Sequence, residues 1–551
     1  MTDRMTLEVI WHAAVFAAEE MGVVLKNTAY SPNIKDRMDH SCAILSPEGE
    51  LVAQAEHIPV HLGSMAVGAL NVMKVVDLEP GDVVLVNDPY LAGTHLNDLM
   101  VLKPVHVSGR TVAIVANKAH HVDVGGSVPG SLGGDVSELL QEGLVIPPVK
   151  VVERGELRED LLSLLEANVR VPRTFRGDLK AQLAALNVGE KRISELAERY
   201  GAETVLEAWG SALDYTERYT REILRGAPEG SHRAEDFLEV NDSLLRIAVQ
   251  VTVRGDTMTV NFTGTSKQVE SPVNAVYGVT VASTSFSVKS VLDPEMPMNQ
   301  GFLRAIRIEA PLGTIVNPVK PAPVSVGNVE TSQRIADVVL RALAEFFPDR
   351  VPAASCGTMT NVSMGGRGWA FYETIGGGSG ARPHEDGVDG VHTNMTNTRN
   401  TPVELIEREY PVLIEEYSLR RDSGGPGTYR GGLGIVRSYL AMEDGIRVSI
   451  NCDRVKTSPW GLKGGKNGAT AEIAVRRADG SVEVLPSKAV LVLNRGDLLT
   501  VKTPGGGGYG APSMRRIELI EKDLLQEKIS QEHARREYSY AKEPINSSGH
   551  L

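Results

Sequence analysis

Apolar and polar residues alternate along this chain in ways that predict its elements before any chemistry is considered. Residues 1–22, MTDRMTLEVIWHAAVFAAEEMG, space apolar positions three and four apart with acids between them, and predict an amphipathic helix. SCAIL and ELVAQA follow as two strands joined by the turn residues Ser46, Pro47, Glu48 and Gly49. After HIPVHLGSM, residues 66–76 return to a helical pattern. Two apolar runs, DVVLV at 82–86 and TVAIVAN at 111–117, read as neighbouring buried strands, each running into a polar, glycine-bearing loop. Residues 154–225 are helical in period, and GAPEGS at 226–231 breaks the pattern. Beyond it, residues 245–264 alternate and predict a hairpin turning at Arg254, Gly255 and Asp256. Helices are expected near 276–291 and 331–347, the second capped by Asn328 or Thr331 with Arg334 inside it.

Residues 365–434 are rich in glycine and short on periodicity, which predicts long ordered loops. Strands return over 435–493. The tract TPGGGGYG at 503–510 then leads into one charged helix over 514–538, and residues 541–551 read as a disordered tail. The fold expected is α+β and multidomain, with mixed or antiparallel sheets and a helical segment. Its divisions are an N-terminal α/β region (1–153), the helical segment (154–226), a glycine-rich α+β region (227–512) and a terminal helix and tail (513–551).

Composition narrows the function classes. At 551 residues, with 42% hydrophobic residues and no apolar run of about 18, the chain reads as a soluble protein with no membrane span. A net charge of −13 without a basic stripe argues against nucleic acid as a partner. Cys42, Cys356 and Cys452 lie far apart, so neither a thiolate zinc site nor a disulfide framework is expected. The N-terminus lacks a basic export region, which places the protein in the cytoplasm.

The candidate chemistry is concentrated at residues 87–130. Eight of the 13 histidines fall at or before residue 121, and two clusters, NDPYLAGTHLNDLM and KAHHVDVGGSVPG, mix imidazole and carboxylate between glycines. Such loops at the ends of adjacent strands bring His95, Asp98, His120, His121 and Asp123 toward one point. Mixed nitrogen and oxygen donors suit a divalent transition metal, Zn, Mn or Fe. The competing reading is that these are turn residues bonding their own backbone. Asp36 and Asp39 are candidates for a further ligand or an outer carboxylate, with a turn or helix-end role the stronger reading from spacing alone. His57 and His61 fit substrate or structural contacts better than metal binding. TPGGGGYG lacks the Gly-Lys-Ser/Thr ending of a phosphate loop, and GLKGGKNG has the wrong spacing, so ATP chemistry would need a partner. The segment 365–394, with Arg382, His384, Asp386 and His392, reads equally as a plain loop or as a lid, a partner contact or a second polar site.

Seven ordered blocks carry a family resemblance: NDPYLAGTHLNDLMVLKPV, NKAHHVDVGGSVPGSL, QEGLVIPPVKV, NVRVPRTFRGDLKAQLAALNVGEKR, GNVETSQRIADVVLRAL, YETIGGGSGARPHEDGVDGVHTNMTNTRNTPVELIEREYPV and TPGGGGYG. Together they resemble the B-type subunits of the hydantoinase/5-oxoprolinase family, over residues 4 to 512. The resemblance implies a metal held by His95, Asp98 and His120, with Asp39 as the best fourth ligand. His121 and Asp123 would stand beside it as outer-shell or catalytic groups. It also implies an A-type partner that binds ATP and activates a small-molecule cyclic amide such as a hydantoin or 5-oxoproline. Metal-bound water in this chain would then open the ring. Two other readings stay open: a component of an ATP-dependent acetone-type carboxylase, and a non-catalytic scaffold stabilised by its metal.

Overall fold

The computed structural model describes residues 2–55, 57–61 and 63–540; the expected tail at 541–551 lies outside the described residues. Helix α1, Arg4–Thr28, starts at the Asp3 cap, whose carboxylate accepts from Thr6 N. One-turn helix α2 is Pro32–Lys35, and α3 is Ser64–Met73. Around them lies a seven-stranded sheet. Its strands are β1 (His40–Leu45), β2 (Leu51–Ala55), β3 (Val83–Val86), β4 (Asp98–Val107), β5 (Arg110–His120), β6 (Val149–Glu153) and β7 (Glu156–Leu157). Their spatial order is β2-β1-β5-β4-β3-β6-β7, and every pairing is antiparallel.

Two of the expected strands are present, but they are not neighbours. The sequence LMVLKPVHV forms β4 and inserts between β3 and β5, and β5 runs on to His120, so the second polar cluster starts inside a strand. The reason is burial on both faces. Alternate residues Ile44, Val101 and Val115 pack toward one hydrophobic core, and Ala43, Leu102 and Ala116 toward another. A strand covered on both sides loses the polar alternation that marks a half-buried one. The short one-turn helix α4, Pro89–Ala92, links β3 to β4.

The first core lies under a helical layer of α1, α6 (Pro172–Tyr200) and α7 (Ala202–Arg225), preceded by the short α5 (Glu159–Glu166). A second sheet contains β8 (Gly230–Val240), β9 (Ser243–Arg254), β10 (Thr257–Asn261) and β11 (Ile306–Glu309), with β10 and β11 parallel. The β9–β10 hairpin turns where expected; β8 was not anticipated. Helices α8 (Tyr277–Leu292), α9 (Gln300–Ala305) and α10 (Ser332–Leu343) follow. A π-helical turn, Gly327–Thr331, leads into α10, and neither Asn328 nor Thr331 caps it with a side chain.

The C-terminal half holds two antiparallel sheets packed on a separate core. One contains β12 (Asn361–Gly366), β13 (Trp369–Thr374), β16 (Ile446–Asn451) and β19 (Lys488–Leu493). The other contains β14 (Val412–Leu419), β15 (Ile435–Ala441), β17 (Glu472–Arg476), β18 (Val482–Val484) and β20 (Leu498–Lys502). The glycine-rich region is therefore less irregular than its periodicity predicts, since it contributes β13, β14 and helix α11, Val403–Glu409. The single terminal helix expected is instead two, α12 (Ile517–Leu525) and α13 (Gln531–Tyr538). Glu527 adopts a positive φ of 56° between them, and Ile520, Ile529, Ala534 and Tyr538 close the pair into a small core. No helix among the described residues is long and apolar enough to cross a membrane.

Candidate metal centre

Three local devices converge on one point. In NDPYLAG, the Asp88 side chain accepts from Tyr90 N, Pro89 starts the turn of α4, and Gly93 ends it with a φ of 86°. The chain then turns through His95, with Asp98 N donating to the His95 carbonyl at 3.1 Å. Antiparallel register sets Asp98, the first residue of β4, directly opposite His120, the last of β5. Directly opposed residues project their side chains to the same face of a sheet. Asp39 lies on the other side of β5, just before β1, and its carbonyl accepts from His120 N at 3.0 Å.

The donor atoms form a near-equilateral triangle. His95 Nε2 lies 3.2 Å from Asp98 Oδ1, His120 Nδ1 lies 3.3 Å from the same oxygen, and the two ring nitrogens are 3.2 Å apart. Asp39 Oδ2 stands 4.0 Å from His120 Nδ1. His61 Nε2 approaches the other oxygen of Asp98, Oδ2, at 3.4 Å, while its Nδ1 pairs with Ser41 Oγ at 2.9 Å. His95, Asp98 and His120 are at most 3% exposed, and both Asp98 oxygens lack a hydrogen-bonding partner among the described residues. A buried carboxylate left unpaired is costly, and a cation removes that cost. Three donors each about 2.0–2.2 Å from one ion stand about this far apart, so the residues fit a divalent transition metal.

Protonation suits the same role at Asp98 and His120. Burial works against the Asp98 charge, but the neighbouring imidazoles of His95, His61 and His120 outweigh it and hold the carboxyl well below its ordinary range. Burial lowers the His120 pKa and favours the neutral ring, which has a lone pair to give. His95 moves the other way, because the Asp98 carboxylate outweighs its burial. Outside the triangle, His95 Nδ1 lies 3.3 Å from the Ser325 carbonyl, which fixes the ring orientation. A cavity of about 20 Å³ adjoins the site, walled by Ile58, Val60, Val329, Met359 and Met395 on its apolar side. A space of this size holds about one water.

The sequence model of the hydantoinase B/oxoprolinase family matches residues 3–512. The chain belongs to the hydantoinase B/oxoprolinase family. Among its relatives, an uncharacterised protein of Methanocaldococcus jannaschii is 57% identical over 97% of this chain and 96% of that protein. A putative B-type D-/L-hydantoinase subunit of Pseudomonas sp. (strain NS671) is 32% identical over 97% of this chain and 95% of its own length. 5-Oxoprolinase 1 of Arabidopsis thaliana is 36% identical over 93% of this chain, yet the match spans only 42% of that longer protein. The fold matches the ATP-dependent caprolactamase of Pseudomonas jessenii with a TM-score of 0.91 at 30% identity, covering 100% of this chain and 98% of the other. Acetone carboxylase shares the fold with a TM-score of 0.90 at 17% identity, over 97% of this chain and 79% of the other.

Within this family member, the expected site residues fall into two groups. His95, Asp98 and His120 come together, with Asp39 at their edge. His121 instead turns against α6, where its Nε2 pairs with Gln182 Oε1 at 3.0 Å and its ring lies 5.0 Å from Phe175. Asp123 accepts from Gly125 N, Gly130 N, Arg170 N and Arg170 Nη1, and so ties down the glycine turn that follows β5. Sequence reasoning set His61 aside and passed over Tyr372, whose ring stacks on His120 at 4.8 Å and 10°. His61 had a signal, a histidine in the histidine-rich N-terminal third. Tyr372 had none, since 252 residues separate it from its partner. All three cysteines are buried and free.

Proposed function

We propose that this chain is the B-type subunit of an ATP-dependent cyclic amide hydrolase, opening a lactam or hydantoin ring that an ATP-binding A-type partner activates. The observation that carries this reading is the buried triangle of His95, Asp98 and His120, in which neither Asp98 oxygen has a hydrogen-bonding partner among the described residues. A divalent Zn, Mn or Fe ion bound there would polarise a carbonyl oxygen and acidify water beside it. Asp98 gives the site its negative charge, and His95 and His120 give its nitrogen donors. Asp39 is the fourth ligand on this reading. His61, steadied by Ser41, stands 3.4 Å from the second Asp98 oxygen on the far side of the carboxylate. The apolar wall from Ile58 to Met395 excludes bulk water, which strengthens every charge interaction inside. An unstrained amide resists attack because resonance stabilises its ground state, which is why an activating step from ATP is needed. His121 and Asp123 act on this reading by shaping the β5 end.

Plasma mass spectrometry on the wild type beside His95→Ala, Asp98→Ala and His120→Ala tests the centre. The expected result is about one transition-metal ion per wild-type chain, with occupancy lost in folded variants. Metal-free wild type would end this reading. ATP-dependent ring opening with the co-purified partner tests the reaction, and turnover that requires bicarbonate would move the protein to the carboxylase branch.

A further inference from the structure

His120 is the corner of the triangle whose ring is supported from the C-terminal sheets. The Tyr372 ring, on β13, lies nearly parallel to it, with centroids 4.8 Å apart and planes 10° from parallel. Tyr372 is itself held at both ends. Its hydroxyl donates to Asn361 Oδ1 at 2.6 Å, and Asn361 Nδ2 donates onward to Glu330 Oε1 at 3.1 Å. The Arg37 guanidinium stacks on the same ring at 4.7 Å, and its Nη1 donates to the Tyr372 carbonyl at 3.1 Å. Arg37 also donates to Asn33 Oδ1, and Asn33 Nδ2 in turn donates to the His120 carbonyl at 3.0 Å. One buried arginine therefore braces both the backbone of His120, through Asn33, and its ring, through Tyr372.

We propose that Tyr372 is a positioning residue that fixes the plane of the His120 imidazole for ion binding, with Arg37 as its support. The inference rests on the metal reading above and adds a residue to it. A ligand ring rotates about its Cβ–Cγ bond, and only a narrow range of that angle aims Nδ1 at the point shared with His95 and Asp98. A flat aromatic face parallel to the ring restricts that rotation without touching the ion. The planar face, not the hydroxyl, carries the effect, so Y372F retains it and Y372L removes it.

The test is cobalt(II) titration of the metal-stripped full chain, followed by its visible d–d absorption and by chelator competition. Circular dichroism at the same temperature checks that each variant is folded. Y372F is expected to keep the wild-type affinity and band position. Y372L is expected to bind cobalt about 10- to 100-fold more weakly, with a shifted band, as for loss of an orienting neighbour. Y372M, an unbranched filler of similar length, stands in if Y372L does not fold, and carries the same expectation. A folded Y372L or Y372M with wild-type affinity and spectrum would overturn the proposal while leaving the metal centre standing. A wild type that takes up no cobalt would sink both. A purely structural role for Tyr372 would lower the melting temperature but leave the band of the folded protein in place.

Discussion

Gly506 shows what the glycine tract is for. Its N–H donates to the Gly432 carbonyl at 2.9 Å, and its own carbonyl accepts from Gly425 N at 2.8 Å. A Cβ at this position would stand 1.9 Å from the Ser379 carbonyl oxygen, and one at Gly431 would stand 1.9 Å from the Gly506 oxygen. Segments around 354, 378–381, 424–432 and 461–468 all hydrogen-bond to the tract through their backbones, so the glycines serve close approach of backbone to backbone. Gly506→Ala is expected to leave little soluble protein, because the atom beneath it is backbone and cannot swing aside. Gly210 is the opposite case, exposed on α7 with nothing within 4 Å of an added Cβ. Gly210→Ala is expected to raise stability by about 0.5–1 kcal/mol through helix propensity. Thermal melts of the two variants beside the wild type would check both, and equal behaviour would contradict this account.

At the scale of elements, the segment leading from the cis Lys320–Pro321 bond to the π-helical turn is held by one acid. Glu142 Oε1 accepts from Val324 N and Ser325 N, each at 2.8 Å, and the Ser325 carbonyl faces His95 Nδ1. Burial pushes the Glu142 carboxyl up from the ordinary 4.5 to about 7, and its Oε2 has no partner among the described residues. Between those two values the folded protein binds a proton that the unfolded chain has released. The stability contributed is therefore fully present below about pH 4.5 and is lost as pH rises through 7, on the order of 3 kcal/mol in total. Urea unfolding at pH 5 and pH 8 should show a larger loss in the wild type than in Glu142→Gln, which cannot ionise. Equal losses would mean that the group stays charged in the fold. Strand β4 carries no clear period in the sequence, because its residues are buried on both faces and the lysine, proline and histidine in LMVLKPVHV interrupt the apolar run.

Across the whole molecule, the two halves are joined by a buried network of charges. Arg334 on α10 bonds Asp337 at 2.9 Å and Asp453, just after β16, at 2.8 Å. Arg454 bonds Asp236 of β8 at 2.7 Å and Asp337 at 2.8 Å, and Lys488 of β19 reaches Asp453 at 2.6 Å. Asp453→Ala would leave Lys488 without its carboxylate and Arg334 short of one, both in the interior. Removing one partner of a buried pair typically costs about 3–5 kcal/mol, and denaturant midpoints should fall accordingly. A midpoint unchanged from the wild type would show that the network is dispensable. Apart from Arg334 and Asp337, three residues apart on one helix, these pairings were not legible in the sequence, where Arg334 and Asp453 are 119 residues apart and Asp236 and Arg454 are 218 apart.

The sequence by itself determined the N-terminal helix, the first two strands, the helical stretch after residue 154 and the β9–β10 hairpin, because each follows from local period and turn residues. It also marked out His95, Asp98 and His120 as candidate ligands, since imidazole and carboxylate crowded among glycines carry a local signal. Only the tertiary structure decided which of the candidates meet. His120 and His121 are adjacent in the chain, yet one ring enters the triangle with Asp98 and the other faces Gln182 on α6. The pleat of a strand sends successive side chains to opposite faces, and which face becomes the site depends on what the distant sheet and its Tyr372 bring to it.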